Sequence, residues 1–89
     1  MDEAGETLKH AAELLIKRGE IYGPAEVNFQ RIADIATVIL GKKITRYDVA
    51  GILLSTKLGR MPQDPGYSDS YDDGVNYLAF MKQFRGDAE

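Results

Sequence analysis

From Ala25 to Leu40 the chain sets Phe29, Ile32, Ala33, Ala36, Ile39 and Leu40 at helical spacing, and Val27, Ile35 and Val38 widen that stripe. A helix apolar over so much of its circumference is expected to lie between two neighbours rather than against one. The segment therefore asks for a helical assembly around it. Its flanks agree. Leu8, Ala11, Ala12, Leu15 and Ile16 recur at the same spacing ahead of Gly19, which predicts a helix over 3–18 with Gly19 as its stop. Glu20-Ile-Tyr-Gly-Pro24 is turn chemistry, with Tyr22 and Phe29 expected as packed core beside it. Gly41-Lys42-Lys43 closes the second helix, over 25–40, with cations beside its last carbonyls.

A third helix is expected over 46–60. Thr45 followed by Asp48 makes a capping-box-like start, and Val49, Ile52, Leu53 and Thr56 continue one face. Gly51, Ser55 and Gly59 line another face, where a neighbouring backbone could approach. The linker from Met61 to Gly66 holds two prolines and cannot stay helical. A fourth helix is expected over 69–85, capped by Ser68, with Asp69, Asp72 and Asp73 in its first turn and Val75, Leu78, Ala79 and Phe80 facing inward. No segment alternates with period two. The fold class is all-α, one domain of four helices.

At 89 residues without a cysteine, such a domain has no covalent staple and is marginal by itself, so homo-oligomerisation is expected to complete it. Cysteine chemistry and thiolate zinc sites are excluded, and a single histidine, His10, read as a surface residue, leaves no basis for a His-rich metal site. The formal charge of −3 argues against direct nucleic-acid binding. No apolar run is long enough for a membrane span. The cytoplasm is the expected location.

Asp69, Asp73 and Tyr77 fall at i, i+4 and i+8, drifting only about 40° per step, so they share one helix face. Two carboxylates one turn apart suit Mg²⁺, which takes oxygen ligands. The same acids also simply complement a helix dipole. Lys57 and Arg60, near the end of the third helix, either pair with those acids across the linker or clamp a phosphate. Asp48 is either the capping residue or a third metal ligand. Asn28 offers an amide to a ligand or to local packing, and Tyr67, Tyr71 and Asp72 line the linker mouth or an interface. Lys42, Lys43 and Arg46, at the second interhelical turn, could approach a neighbour's acidic face.

Taken in order, Arg18-x3-Tyr22-Gly23, Asn28-Phe29-x2-Ile32-Ala33, Ile44-Thr45-x2-Asp48-Val49, Lys57-x2-Arg60 and Asp69-Ser70-Tyr71-x-Asp73-x3-Tyr77 resemble a group of small phage and prophage proteins of unassigned function, over roughly residues 8 to 82. That group is distantly similar to the all-α nucleoside triphosphate pyrophosphohydrolases, the MazG and dimeric dUTPase superfamily, and to a nucleotide-modification-associated phage domain. The resemblance implies a helical bundle, completed by dimers or tetramers, that holds a nucleotide through Mg²⁺ and carboxylates. Asp69 and Asp73, with Asp48, would hold the metal; Lys57, Arg60, Tyr77, Tyr22 and Asn28 would hold the substrate. The superfamily's E-x-x-E pair is missing from the second helix, where Glu26 and Asp34 lie eight apart. The expected function is binding or hydrolysis of a (d)NTP-like ligand. The alternatives are a non-catalytic protein that sequesters a nucleotide or nucleotide-derived signal, and a helical module that docks on a host protein.

Overall fold

The computed structural model describes residues 2–88 and contains no strand among them. Four helices follow one another: α1 (Glu3–Tyr22), α2 (Ala25–Leu40), α3 (Arg46–Arg60) and α4 (Ser68–Gln83), with a closing 3₁₀ turn at Arg85–Ala88. Asp2 caps α1 by accepting from the Gly5 amide at 2.8 Å. The helix then runs straight through Gly19, one turn past its expected stop. Gly19 has open space around it, so continuing costs only its weak helix propensity, about 1 kcal/mol. The stronger stop is Gly23, whose φ of 83° is open to glycine and strained for other residues. Pro24 follows and starts α2. Gly41, at φ 71°, ends α2 in the left-handed region.

The α3 cap is a full capping box. The Asp48 amide donates to Thr45 Oγ1 at 3.1 Å, and the Thr45 amide donates to Asp48 Oδ2 at 2.9 Å. At α4 the expected cap is displaced. Tyr67 occupies the cap position without a side-chain bond to the helix's free amides, and Ser68 is already helical. Of the three aspartates only Asp69 is in the first turn.

Packing centres on α3 and α4, an antiparallel pair in which Lys57 meets Asp73 near one end and Gly51 meets Met81 near the other. Of the expected small-residue face, Gly51 makes a close contact, while Gly59 has open space. Beside this hairpin, Phe29 and Ala33 of α2 join Ile44, Val49, Ala50 and Phe84 in the core. Phe29 stands 4.8 Å from Phe80 and 5.4 Å from Phe84, ring centre to ring centre. Arg46 pairs with Asp87 through two hydrogen bonds and covers the Phe84 ring. It is thus held within its own chain, not offered to a neighbour.

α1 packs mainly on α4 and barely touches α2. Tyr22, expected in the core with Phe29, is instead 65% exposed. It rides on the extra turn of α1, which leaves α2 rather than folding along it. α2 rests on α3 and reaches α4 through Phe29 and Phe80, while its outer face, with Val27, Ile35, Val38 and Ile39, stays exposed. Among the described residues no apolar side chain larger than alanine is completely shielded from solvent. The radius of gyration is 13.9 Å, against about 12 Å for a compact domain of this length.

Candidate functional site

α1 is held to α4 by polar contacts at three levels. The His10 Nδ1 lies 2.9 Å from Asp72 Oδ2, the Asn76 amide donates to the Ala11 carbonyl at 2.9 Å, and Arg18 donates to Asp73. Asp72, Asp73 and Asn76 are all buried. Carboxylates and amides survive burial only when their polar atoms are met, and here α1 meets them. His10 is exposed as expected of a surface residue, yet its ring has a specific partner. Asp72 meets that ring and also lines the linker mouth beside Pro65 and Gly66, where Tyr71 donates to the Pro65 carbonyl at 2.8 Å. Ser70 is fully buried, and its hydroxyl has no partner among the described residues.

Asp73 is the centre of this arrangement. Lys57 Nζ lies 3.0 Å from its Oδ2 while Arg18 holds Oδ1. Burial pushes the carboxyl upward, but Lys57 and then Arg18 outweigh it and hold its pKa below the ordinary 3.8. The hydrogen bond that Arg18 donates to Asp73 in turn raises Arg18 above its usual value. One carboxylate between two cations leaves a net positive charge. Lys57 is mostly buried and committed to Asp73, whereas the Arg18 side chain is 40% exposed.

Arg18 opens onto a cleft of about 840 Å³ between α1, α2 and α4. Leu15, Phe29, Ile32, Leu53 and Phe80 make its apolar lining. Tyr22, Asn28, Asn76 and Tyr77 supply ring edges, amides and hydroxyls around it, and Asp73 and Glu26 its carboxylates. A mostly apolar concavity with a few convergent polar groups has the form of a small-molecule site.

Four residues singled out in the sequence meet in this cleft: Tyr22, Asn28, Asp73 and Tyr77. Lys57 reaches Asp73 from α3 without lining the cleft, and the remaining ones lie elsewhere. Asp69 lines a different, more acidic concavity with Glu3, Glu6 and His10, and accepts from the Tyr67 hydroxyl at 3.2 Å. Asp48 stays in the capping box of α3, nine residues and about 13 Å of helix rise from Lys57. Arg60 is exposed and forms no ion pair among the described residues. No group of three or more acids or histidines among the described residues converges on a point that could hold a metal. The proposed Mg²⁺ set of Asp69, Asp73 and Asp48 therefore does not fit: one ligand is far away, one faces another cleft, and one is neutralised by two cations. Arg18 and Asn76 were not among the residues predicted for the site. Arg18 stood in the motif with Tyr22-Gly23, whereas nothing near Asn76 marks it.

The fold and the cleft together define a small all-helical domain with an open cavity on one side. The chain belongs to the DUF6378 family, a domain of unknown function, whose profile matches residues 6–85. No curated protein and no solved structure matches it. None of its helices is long and apolar enough to cross a membrane among the described residues.

Proposed function

We propose that the α1–α2–α4 cleft binds a small ligand with a flat ring and an anionic group, a nucleotide or a nucleotide-derived signal. The observation that carries this reading is the partly exposed guanidinium of Arg18, placed at the edge of a cavity lined by Phe29 and Phe80. The ring fits among the aromatic side chains, with the amide of Asn28 available to its polar edge. The anion fits against Arg18, whose fork geometry suits phosphate or carboxylate. Tyr22 and Tyr77 flank the entrance.

Binding is favoured over Mg²⁺-dependent hydrolysis for one reason. Asp73, the carboxylate in the cleft that a metal would have to use, is already held by Lys57 and Arg18. A cation placed there would have to displace both. The reading is of a protein that sequesters or senses its ligand, in line with the resemblance to small phage proteins and at some distance from the MazG-like hydrolases.

Thermal unfolding against ribo- and deoxynucleotides, each with and without Mg²⁺, tests it. A ligand at 100 times its Kd stabilises by about 2.7 kcal/mol, which in so small a domain raises Tm by roughly 10 °C. The expected result is a Mg²⁺-independent rise that Arg18→Met removes. A rise that requires Mg²⁺ would return the carboxylate-metal reading. No rise with any nucleotide sinks the nucleotide reading.

A further inference from the structure

Glu26 lies in the first turn of α2, where a carboxylate ordinarily complements the helix dipole and nothing more. Here it is also held. Gln83, the last residue of α4, donates from Nε2 to Glu26 Oε1 at 2.7 Å, and both side chains line the ligand cleft. Among the described residues Glu26 forms no ion pair, and its Oε2 accepts no hydrogen bond. Arg46, which feels the charge of Glu26 at longer range, is committed to Asp87 by two hydrogen bonds. The cleft therefore holds an oriented carboxylate with acceptor capacity to spare.

This carboxylate and Arg18 mark opposite ends of the cavity. Asp73 fixes Arg18 at one level of α4, and Gln83 fixes Glu26 ten residues further on, about 15 Å of helix rise away. Asn76, Tyr77 and Phe80 of the same helix line the cleft along that stretch, with Phe29 of α2 packed on Phe80. A ligand whose anion rests on Arg18 extends past these rings and ends at Glu26.

We infer that the cleft selects guanine and that Glu26 is the residue that reads the base, an inference that rests on the nucleotide reading of this cleft. A carboxylate can only accept hydrogen bonds. Guanine, alone among the common bases, presents a ring N–H and an exocyclic amine side by side, the forked donor pair that a carboxylate meets in bidentate fashion. Adenine and cytosine place a bare ring nitrogen beside their amine, and uracil and thymine flank a single N–H with two carbonyls. Each of these sets a lone pair against the carboxylate and is disfavoured by it. The Asn28 amide, in the same cleft, is the donor for the ring carbonyl of guanine. Gln83 acts through Glu26, as a positioning residue that holds its carboxylate.

Titration calorimetry of the full chain with GDP, IDP and ADP tests this, because IDP is GDP without the exocyclic amine. GDP is expected to bind about tenfold or more tighter than either, the worth of one hydrogen bond to a charged group. Glu26→Gln is expected to erase that preference. The Glu26 side chain is exposed, so the variant removes no core contact. Equal affinities in the parent chain, or a guanine preference that survives in Glu26→Gln, overturn the inference and leave the nucleotide reading standing. If none of the three binds, the inference falls as well, and the thermal panel shows whether another nucleotide still occupies the cleft.

Discussion

Lys57 Nζ lies 3.0 Å from Asp73 Oδ2, joining the last turns of α3 to α4, and Arg18 of α1 holds the other oxygen of the same carboxylate. Three helices thus share one aspartate. Asp73→Asn leaves two cations crowded around a neutral amide, and the loss of a buried partner of this kind costs about 3 kcal/mol. Urea unfolding followed by circular dichroism should show the midpoint fall with little change in slope. An unchanged midpoint would mean that the cluster is no more than a solvated surface pair.

The same carboxylate fixes the direction of acid sensitivity. Its folded pKa is lowered below 3.8, as is that of Asp87 beside Arg46. A lowered folded pKa means that the stabilisation is complete above the unfolded value and disappears as pH falls through it toward the folded one. Stability measured from pH ~6 down to ~3 should therefore drop mainly in the last unit or so. In Asp73→Asn that drop should be shallower; an equally steep one would place the acid-sensitive group elsewhere.

Thr45 and Asp48 satisfy each other's backbone amides at the start of α3. Thr45→Ala should cost about 1 kcal/mol. Asp48→Ala should lower stability similarly and leave ligand affinity in the cleft unchanged. Loss of affinity in Asp48→Ala, with stability intact, would contradict the capping role.

Gly74 is buried in mid-helix, and a Cβ built there would meet Leu54 at 3.7 Å and Met61 at 3.8 Å, ordinary contact distances. Gly74→Ala should then stabilise the chain by about 0.5–1 kcal/mol through reduced backbone entropy. A lower Tm in this variant would show that α3 and α4 lie closer than those distances allow.

Tyr77→Phe keeps the ring in the cleft and removes only a hydroxyl. Ligand affinity should fall less than tenfold, whereas Arg18→Met should lower it by about tenfold or more. Titration calorimetry with the best nucleotide from the thermal panel reads both; the reverse order would move the anion away from Arg18.

What the sequence determined by itself is local. The 3.6-residue spacing of apolar side chains gave all four helices, and the Thr45–Asp48 pair gave the cap of α3, because both depend on neighbours within one or two turns. Where local rules competed, the weaker signal lost: Gly19 did not stop α1, since Gly23 followed by Pro24 is a firmer end. The width of the α2 stripe was legible too, but not that one side of it would stay uncovered within the chain. Tertiary structure alone decided which polar residues meet. Asp69 and Asp73 share a face by spacing, yet α1 packs across α4 so that one aspartate opens to an acidic concavity and the other is buried between Arg18 and Lys57. Residues 55 positions apart cannot be paired by periodicity. The Lys57 pair was one of the readings open from the sequence; the packing of α1 on α4, which buries Ala11 and is held by Asn76, added Arg18 and made a candidate metal ligand the counter-ion of two cations.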